Sequence, residues 1–250
     1  MNRLVFAVLL LATAALARGG VLVDNGPYIT GLGNGAGGAH TSVIETGYGS
    51  YGFNTNLSFA NAFMIADDFT VPAGEYWDLT QVIWPAYQTG SGQTSTFTGA
   101  YVGIFNGNPA LGGTLLHGDE STNRLLSSTF SGVYRVSSSA QTDSTRPIML
   151  NAIDLSFLPN ALGPGTYWIA IGLTGSLPSG PWTIPVVPHR DADNAQQRNS
   201  GIWGPIDGST TAEGVQVQDI PFILEGIVVP EPAGLALLAL GVVVWRRRRS

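Results

Sequence analysis

Apolar and polar residues alternate along much of the chain between residues 65 and 229. A period of about two places successive side chains on opposite faces of a β-strand, and these runs end at Gly, Pro or Asn residues that favour turns. The pattern predicts strands at residues 65–71, 79–84, 98–105, 114–117, 125–130, 133–136, 148–155, 165–173 and 221–229. Prolines flank and interrupt residues 182–187, which predicts an edge strand or a loop there.

These strands predict an all-β fold. The same region has no convincing amphipathic helix, and charged residues make up only 11% of the chain, whereas exposed helical surfaces need Glu, Lys, Arg and Ala. Short strands separated by turns predict a single β-sandwich, jelly-roll-like, over residues 63–229. Residues 18–62 are rich in glycine with interleaved aromatics. We expect them to form an N-terminal segment that packs on the sandwich through those aromatics, with residues 24–62 as irregular loop and one or two short strands.

The first seventeen residues depart from the alternating pattern. Asn2 and Arg3 are followed by an apolar run at residues 4–16, and the small residues Ala15 and Ala17 flank Leu16. A basic start, an apolar centre and a small-x-small site are the parts of a secretory signal peptide. The sequence therefore predicts a signal helix over residues 1–17, cut by signal peptidase after Ala17.

The last twenty-one residues form a second exception. Pro230, Glu231 and Pro232 precede an uncharged apolar run at residues 233–245, and the cluster Arg246, Arg247, Arg248 and Arg249 follows it. As a helix this run is roughly 20 Å long, against a hydrocarbon core of about 30 Å, so it predicts a short transmembrane helix suited to transient anchoring. Because arginines are costly to translocate, the cluster acts as a topology stop that keeps the C-terminus cytoplasmic.

Residues 230–250 resemble the PEP-CTERM sorting signal of Gram-negative bacteria, in which the same three parts occur in the same order. The resemblance implies that an exosortase-like membrane enzyme recognises the Pro-Glu-Pro motif and cleaves near it. It also implies a protein held briefly in the inner membrane and then passed to the cell envelope or the extracellular matrix, in a context of exopolysaccharide, biofilm or floc. The alternative is an ordinary C-terminal membrane anchor. Residues 66–71, 101–105 and 165–168 resemble exported bacterial β-domains that share no general activity.

Charge and composition limit the partners of the exported part. Between residues 19 and 229 there are five arginines, no lysine and sixteen acidic residues, which leaves a formal charge of −11. Nucleic acid is therefore not an expected partner, because its phosphates require a basic patch. The chain has no cysteine, so neither disulfides nor thiol chemistry is available to it.

One polar loop suggests a metal. Asp191, Asp193 and Asn194 are oxygen ligands of the kind that Ca²⁺ prefers, but an EF-hand that starts at Asp191 fails because Gln196 and Ile202 occupy its glycine and glutamate positions. A different calcium site and a solvated loop, with Arg190 and Arg198 paired to the acids, are the alternatives that the sequence leaves open. No other cofactor is expected.

Catalytic motifs are weak or absent in the sequence. It contains neither H-E-x-x-H nor G-x-S-x-G, and the glycines at residues 33–38 match G-x-G-x-x-G without the following helix that a dinucleotide site needs. We expect a non-enzymatic protein. Trp182 and Trp203 lie among Gly and Pro residues, where an exposed indole can stack on a sugar ring. A carbohydrate-binding module is therefore the first alternative, and a secreted hydrolase is the second.

Overall fold

The computed structural model describes residues 19–47, 50–58, 62–190, 194–211 and 214–229, with the backbone alone for residues 207–216. In these ranges the chain forms two large β-sheets, a two-stranded ribbon and two 3₁₀ turns, and it has no α-helix. The all-β prediction is confirmed. The helices predicted at residues 1–17 and 233–245 lie outside the described residues. Over the described part, no helix is long and apolar enough to cross a membrane.

The strands divide into an eight-stranded and a six-stranded sheet. The first contains β1 (Gly20–Asp24), β2 (His40–Val43), β3 (Phe53–Asn54), β5 (Tyr76–Tyr87), β8 (Leu125–Val136), β9 (Pro147–Asp154), β11 (Trp182–Thr183) and β16 (Ile223–Val229). The second contains β4 (Met64–Val71), β6 (Phe97–Phe105), β7 (Leu115–Asp119), β10 (Gly165–Gly175), β12 (Gln196–Asn199) and β13 (Ile202–Pro205). The ribbon consists of β14 (Asp207–Thr211) and β15 (Gly214–Val217).

Strand order follows the chain only in part. The eight-stranded sheet runs β1-β16-β5-β9-β8-β2, and β11 joins β3 to β5. The six-stranded sheet runs β13-β12-β4-β10-β6-β7. The strands pair antiparallel, except that β2 and β8 are parallel.

The main core lies between the two sheets. Leu79 and Trp84 of β5 belong to the same buried cluster as Ile65 of β4 and Ile169 of β10, and none of them is more than marginally exposed. The indole of Trp84 stacks on Phe222 with ring centroids 5.8 Å apart. Burying each such side chain stabilises the fold by about 1.5–3 kcal/mol, so this shared core holds the two layers face to face as a sandwich.

Pro85 shows how a central strand accommodates proline. β5 pairs with β16 as far as Ile83 and with β11 from Ala86 onward. Pro85 falls between these two partners, where the missing N–H breaks no ladder hydrogen bond. Strand β5 is therefore longer than the strand predicted at residues 79–84.

A bulge joins two of the predicted strands. Residues 125–130 and 133–136 belong to the single strand β8, whose pairing with β9 shifts between Phe130 and Tyr134. Gly132 has a φ of 78°, which a residue with a side chain rarely adopts. The glycine therefore bends the strand without ending it.

The N-terminal segment contains three strands, and the two that lie within residues 24–62, β2 and β3, confirm the one or two short strands predicted there. β1 pairs with β16, β2 with β8 and β3 with β11, so these residues complete the eight-stranded sheet. Among the aromatics, Phe53 enters the main core and Tyr51 packs near Tyr87. The segment is thus built into the fold by hydrogen bonding as well as by apolar contact.

Arg135 of β8 fixes this segment from inside the protein. Its side chain is only 1% exposed, although arginine is rarely buried. Nε donates to the Tyr51 carbonyl at 2.9 Å and Nη2 to the Ser50 carbonyl at 2.7 Å. Nη1 donates to Ser42 Oγ at 3.0 Å and to the Val43 carbonyl at 3.3 Å. One guanidinium therefore holds both β2 and the chain that leads to β3.

Burying the charged guanidinium of Arg135 costs free energy. Desolvation lowers the pKa of Arg135 from 12.5 to about 10, and the charges of Tyr87, Tyr51 and Glu45 oppose that shift only in part. The guanidinium is still protonated at neutral pH, with neutral oxygens as its hydrogen-bond acceptors. Its four hydrogen bonds must outweigh the cost of removing the charge from water.

Candidate functional site

The outer face of the six-stranded sheet carries a second apolar cluster. Met64 and Ala66 of β4 lie beside Trp168 and Ala170 of β10, on the opposite face of these strands from the residues in the main core. Leu57, Phe105 and Trp203 pack against this cluster from the side. Because β10 is covered on both faces, its sequence reads as a nearly continuous apolar run.

The hairpin of β12 and β13 folds over this outer face. In strand order β13 is four positions from β6, a separation of about 19 Å in a flat sheet. The ring centroids of Trp203 on β13 and Phe105 on β6 are nevertheless only 6.0 Å apart, at an interplanar angle of 78°. β13 also packs against the 3₁₀ turn Pro109–Leu111 that follows β6. The sheet therefore curls strongly and places Trp203 over its own outer face.

An ion pair borders this face. Arg198 lies directly across from Trp203 in the hairpin, with its guanidinium carbon 5.9 Å from the indole centroid. Its two terminal nitrogens donate to the two carboxylate oxygens of Glu120, and Nε and Nη2 donate to the Ala62 carbonyl at 3.3 and 3.0 Å. The Arg198 hydrogen bonds lower the pKa of Glu120, although desolvation opposes them. Glu120 is therefore an ionised acceptor at neutral pH.

Trp182 lies elsewhere. It belongs to β11 of the eight-stranded sheet and packs against the small cluster that contains Tyr87, Val133 and Ile148. Its Nε1 donates to Ser179 Oγ at 3.3 Å. Trp182 and Trp203 therefore lie on different sheets, and the fold does not place them in one shared stacking surface.

The proposed calcium ligands are described only in part. Asp191 and Asp193 lie outside the described residues. Asn194 uses its Nδ2 to donate to Asp68 Oδ1 at 2.7 Å and its backbone N–H to donate to Asp219 Oδ1 at 2.8 Å. Within the described ranges, no group of three His, Cys, Asp or Glu residues is arranged to hold a metal ion. The calcium site stays a prediction.

The loop arginines pair with acids from other parts of the chain. Arg190 forms an ion pair with Asp219, and Arg198 pairs with Glu120. One alternative from the sequence paired both arginines with the acids of their own loop. The partners named here come from distant segments that the fold brings together, while Asp191 and Asp193 lie outside the described residues, so pairing with the loop acids stays a prediction.

Asp67 is the buried acid next to this polar network. It is 1% exposed, and it lies on the inner face of β4 while Asp68 lies on the outer face, as strand alternation requires. Its Oδ2 accepts from Asn25 Nδ2 at 2.9 Å and from the Ile220 N–H at 2.8 Å, and its Oδ1 accepts from the Asp68 N–H at 2.8 Å. Burial, with the charge of Asp219 second, raises its pKa well above 3.8 despite these hydrogen bonds.

Two depressions are open to solvent on the outer faces. One of about 460 Å³ is largely apolar and includes Tyr28, Pro85 and the carboxylate of Asp24 in its lining. The other, of about 330 Å³, includes Tyr101 and the carboxylate of Glu120. Each holds a single carboxylate, so neither supplies the pair that the hydrolase alternative requires for glycoside cleavage.

Comparison with known proteins gives no relative: no family model, no curated protein and no solved structure matches the chain. Its function has to be argued from its own residues.

The sequence predicts Trp203 as a site residue, but it does not predict that Arg198 and Glu120 lie on the same outer face. Arg198 and Glu120 are 78 residues apart and share no local motif. The sequence contains one signal for this arrangement, the pair Ser200 and Gly201. In the structure these residues have φ of 53° and 83° and form a two-residue turn of the kind that closes a hairpin. A hairpin at residues 196–205 would have placed Arg198 beside Trp203.

Proposed function

We propose that this protein is an exported, non-enzymatic component of the cell envelope or extracellular matrix, linked to exopolysaccharide or biofilm. Signal peptidase removes residues 1–17, and an exosortase-like enzyme processes the tail at Pro230, Glu231 and Pro232. The observation that carries the proposal is the tail itself, in which the motif, the apolar run and the arginine cluster occur in that order at residues 230–250.

The positions of the first and last strands support these processing sites. β1 begins at Gly20, three residues after the predicted signal cut, and β16 ends at Val229, next to Pro230. The two strands pair with each other, with Gly20 opposite Gly226. Cuts after Ala17 and within the Pro-Glu-Pro motif would therefore leave this pairing whole, as expected for a body that is folded on release.

We also propose that the connectivity is of the jelly-roll type. The chain crosses between the two sheets from β4 to β5, from β5 to β6, from β7 to β8 and from β9 to β10. Repeated crossing between two mainly antiparallel sheets is typical of jelly rolls. In such folds the loops and outer faces are available for contacts with other molecules.

Replacing Glu231 with alanine is expected to block maturation. The substitution removes the only charge between the two prolines of the motif, and an unprocessed species should accumulate in the inner membrane. Deleting Arg246 to Arg249 should have the same result, because the helix then lacks its cytoplasmic stop. Both effects are measured by fractionation and immunoblotting with an antibody to the body.

Glu225→Ala is the matched control. Glu225 lies on β16, six positions before Glu231, and accepts a hydrogen bond of 2.7 Å from Gln81 Nε2, so the variant removes a nearby carboxylate and leaves the motif intact. It should mature normally. Normal release of both the Glu231→Ala and the arginine-deleted proteins would refute the sorting proposal.

Carbohydrate binding by the body is the second candidate. It is favoured by the position of Trp203, which is partly exposed over the outer face beside the Arg198–Glu120 pair. An indole next to fixed hydrogen-bonding groups suits a sugar ring, which has apolar faces and a polar rim.

Trp203→Ala is expected to abolish binding to any polysaccharide that the wild type retains, while Trp182→Ala, on the other sheet, should leave it unchanged. The binding assay is affinity electrophoresis through gels that contain neutral polysaccharides. Trp203→Phe is the control for lost packing, because its aromatic ring can still contact Phe105 and can still stack on a sugar ring. Failure of the wild type to bind any glycan would remove this candidate and leave the sorting proposal untouched.

A further inference from the structure

The depression of about 330 Å³ lies beside the Arg198–Glu120 pair on the outer face of the six-stranded sheet. Its volume is at the lower end of the range for small-molecule sites, about 300–1,000 Å³. Six residues line it: Leu57, Ser58, Ala62, Tyr101, Glu120 and Thr174. Four of them carry a hydroxyl or a carboxylate, so the lining suits a ligand that is rich in hydrogen-bonding groups.

The floor and one wall are fixed by the sheet. Tyr101 on β6 lies opposite Gly172 on β10. A Cβ at Gly172 would meet Leu57 Cδ1 at 3.1 Å and Met64 Cγ at 3.2 Å, so Leu57 lies directly over the glycine and forms an apolar floor. Tyr101 and Leu57 together offer an apolar surface that a C–H face of a sugar ring can contact.

The polar groups are directed by contacts of their own. Thr174 Oγ1 accepts the hydroxyl proton of Thr98 at 3.0 Å, which leaves its own proton free to donate. Arg198 holds the Glu120 carboxylate with one hydrogen bond to each oxygen, and a carboxylate has about four acceptor positions. Because the Glu120 side chain is 50% exposed, its remaining positions face solvent and can accept from ligand hydroxyls.

The charges around the depression disfavour acidic ligands. An ionised carboxylate accepts hydrogen bonds but cannot donate one, and it repels a second anion. The guanidinium beside it is 12% exposed and already bound to Glu120 and Ala62, so it does not present a free cation to a ligand acid. With a formal charge of −11 between residues 19 and 229, the protein as a whole also repels acidic polymers.

We propose that this depression, between Tyr101, Glu120 and Thr174, binds one unit of a neutral polysaccharide and discriminates against acidic polysaccharides. The inference rests on the carbohydrate-binding candidate above, and it adds to that candidate the place and the charge of the ligand. Glu120 and Thr174 bind the ring hydroxyls, while Tyr101 and Leu57 contact its apolar face.

The test uses matched probes on the purified full chain. Dextran, mannan and galactan are compared with their carboxymethylated forms, which keep the backbone and add negative charge, and affinity is measured by isothermal titration calorimetry. The wild type should bind at least one neutral polymer, and its carboxymethylated form at least about tenfold more weakly. Equal or tighter binding of the carboxymethylated form would overturn the inference.

Glu120→Gln should weaken binding of the neutral polymer by about tenfold and reduce the discrimination, because a neutral amide accepts weaker hydrogen bonds than a carboxylate and carries no charge to repel an anion. Glu225→Gln is the control, since it makes the same charge change on the other sheet and should have no effect. Thr174→Val keeps the shape of a β-branched strand residue and removes only the hydroxyl. It should weaken binding by severalfold, and it replaces Glu120→Gln as the test if that variant does not fold.

The outcomes separate the two proposals. If the wild type binds a neutral polymer and Trp203→Ala abolishes binding, but neither Glu120→Gln nor Thr174→Val weakens it, the carbohydrate candidate survives and this subsite is wrong. If the wild type binds none of the six polymers, both are wrong.

Discussion

Arg135→Met is expected to lower the free energy of unfolding by about 3–4 kcal/mol and to release the chain between β2 and β3. The substitution leaves three carbonyls and the hydroxyl of Ser42 without their donor. An unsatisfied buried polar group costs about 1–3 kcal/mol. Against this, removing the charge relieves the desolvation that lowers the pKa of Arg135 to about 10. The lost hydrogen bonds outweigh that relief.

The measurement is urea unfolding together with amide hydrogen exchange. Exchange should increase first at residues 42–51, since a loop without its buried tether opens locally before the sheets separate. Arg146→Met is the matched control. Arg146 lies over the ring of Tyr51 at 4.0 Å and pairs with Asp143 at 2.7 Å near the surface, so its loss should cost less than about 1 kcal/mol. Equal effects of the two substitutions would show that Arg135 has no special role as a tether.

Asp67→Asn is expected to destabilise the protein most at acidic pH, by about 1–3 kcal/mol near pH 4, with a smaller difference as the pH rises. Asn25 Nδ2 and the Ile220 N–H both donate to Oδ2, and the Asp68 N–H donates to Oδ1, so an amide with its single oxygen leaves at least one of these donors without an acceptor. The pH trend comes from the wild type. Since the folded pKa of Asp67 lies well above 3.8, its contribution to stability is complete below the unfolded pKa and is lost as the pH rises through the folded pKa.

The two stability curves are best compared between pH 4 and pH 8, because groups that do not interact with Asp67 then cancel. Asp219 does interact with it, since its charge contributes to the raised pKa of Asp67, so the difference between the curves reports on these two carboxyls together. Asp68→Asn is the control, since it changes the neighbouring carboxylate on the outer face of β4 and should not alter the trend. A wild-type advantage that stays constant or grows with pH would contradict the raised pKa of Asp67.

The pattern of apolar residues, together with the turn residues that bound it, predicted the strands of the main core. β4, β6, β9 and β10 begin and end within two residues of the predicted limits. At least one face of each of these strands is buried, so the positions of apolar residues along the sequence indicate where the strand lies. β5 and β8 were predicted too short or divided, because Pro85 and Gly132 are compatible with a strand only where a partner changes or a bulge occurs.

Some of the remaining strands have no such pattern. β12 reads Gln196-Gln-Arg-Asn199 and has no apolar residue, yet it pairs with β4 along three residues. Its position depends on the turn at Ser200 and on the contact of Trp203 with the outer cluster. Likewise β2 is held by parallel pairing with β8 and by Arg135. The burial of Arg135 cannot be predicted from the sequence, because a charged residue among mixed polar and apolar residues is usually exposed.

The candidate site could also be predicted from the sequence only in part. Trp203 could be predicted as a loop or edge aromatic from its Gly and Pro neighbours, but the partners that define the outer face come from distant segments. Glu120 follows β7, Arg198 lies on β12 and Tyr101 lies on β6. The pairing of β6 with β7 places Tyr101 near Glu120, and the curl of the six-stranded sheet brings the hairpin of β12 and β13 to the same border, although strand order alone would have kept β13 far from β6.

The mass of the mature protein tests the central claim most directly. Recovered from the envelope or the medium and analysed intact and by C-terminal peptide sequencing, it should begin at Arg18 and end within or next to residues 230–232, without the arginine cluster. A mature protein that still carries residues 233–250 would contradict the sorting proposal, and it would leave the tail as an ordinary membrane anchor.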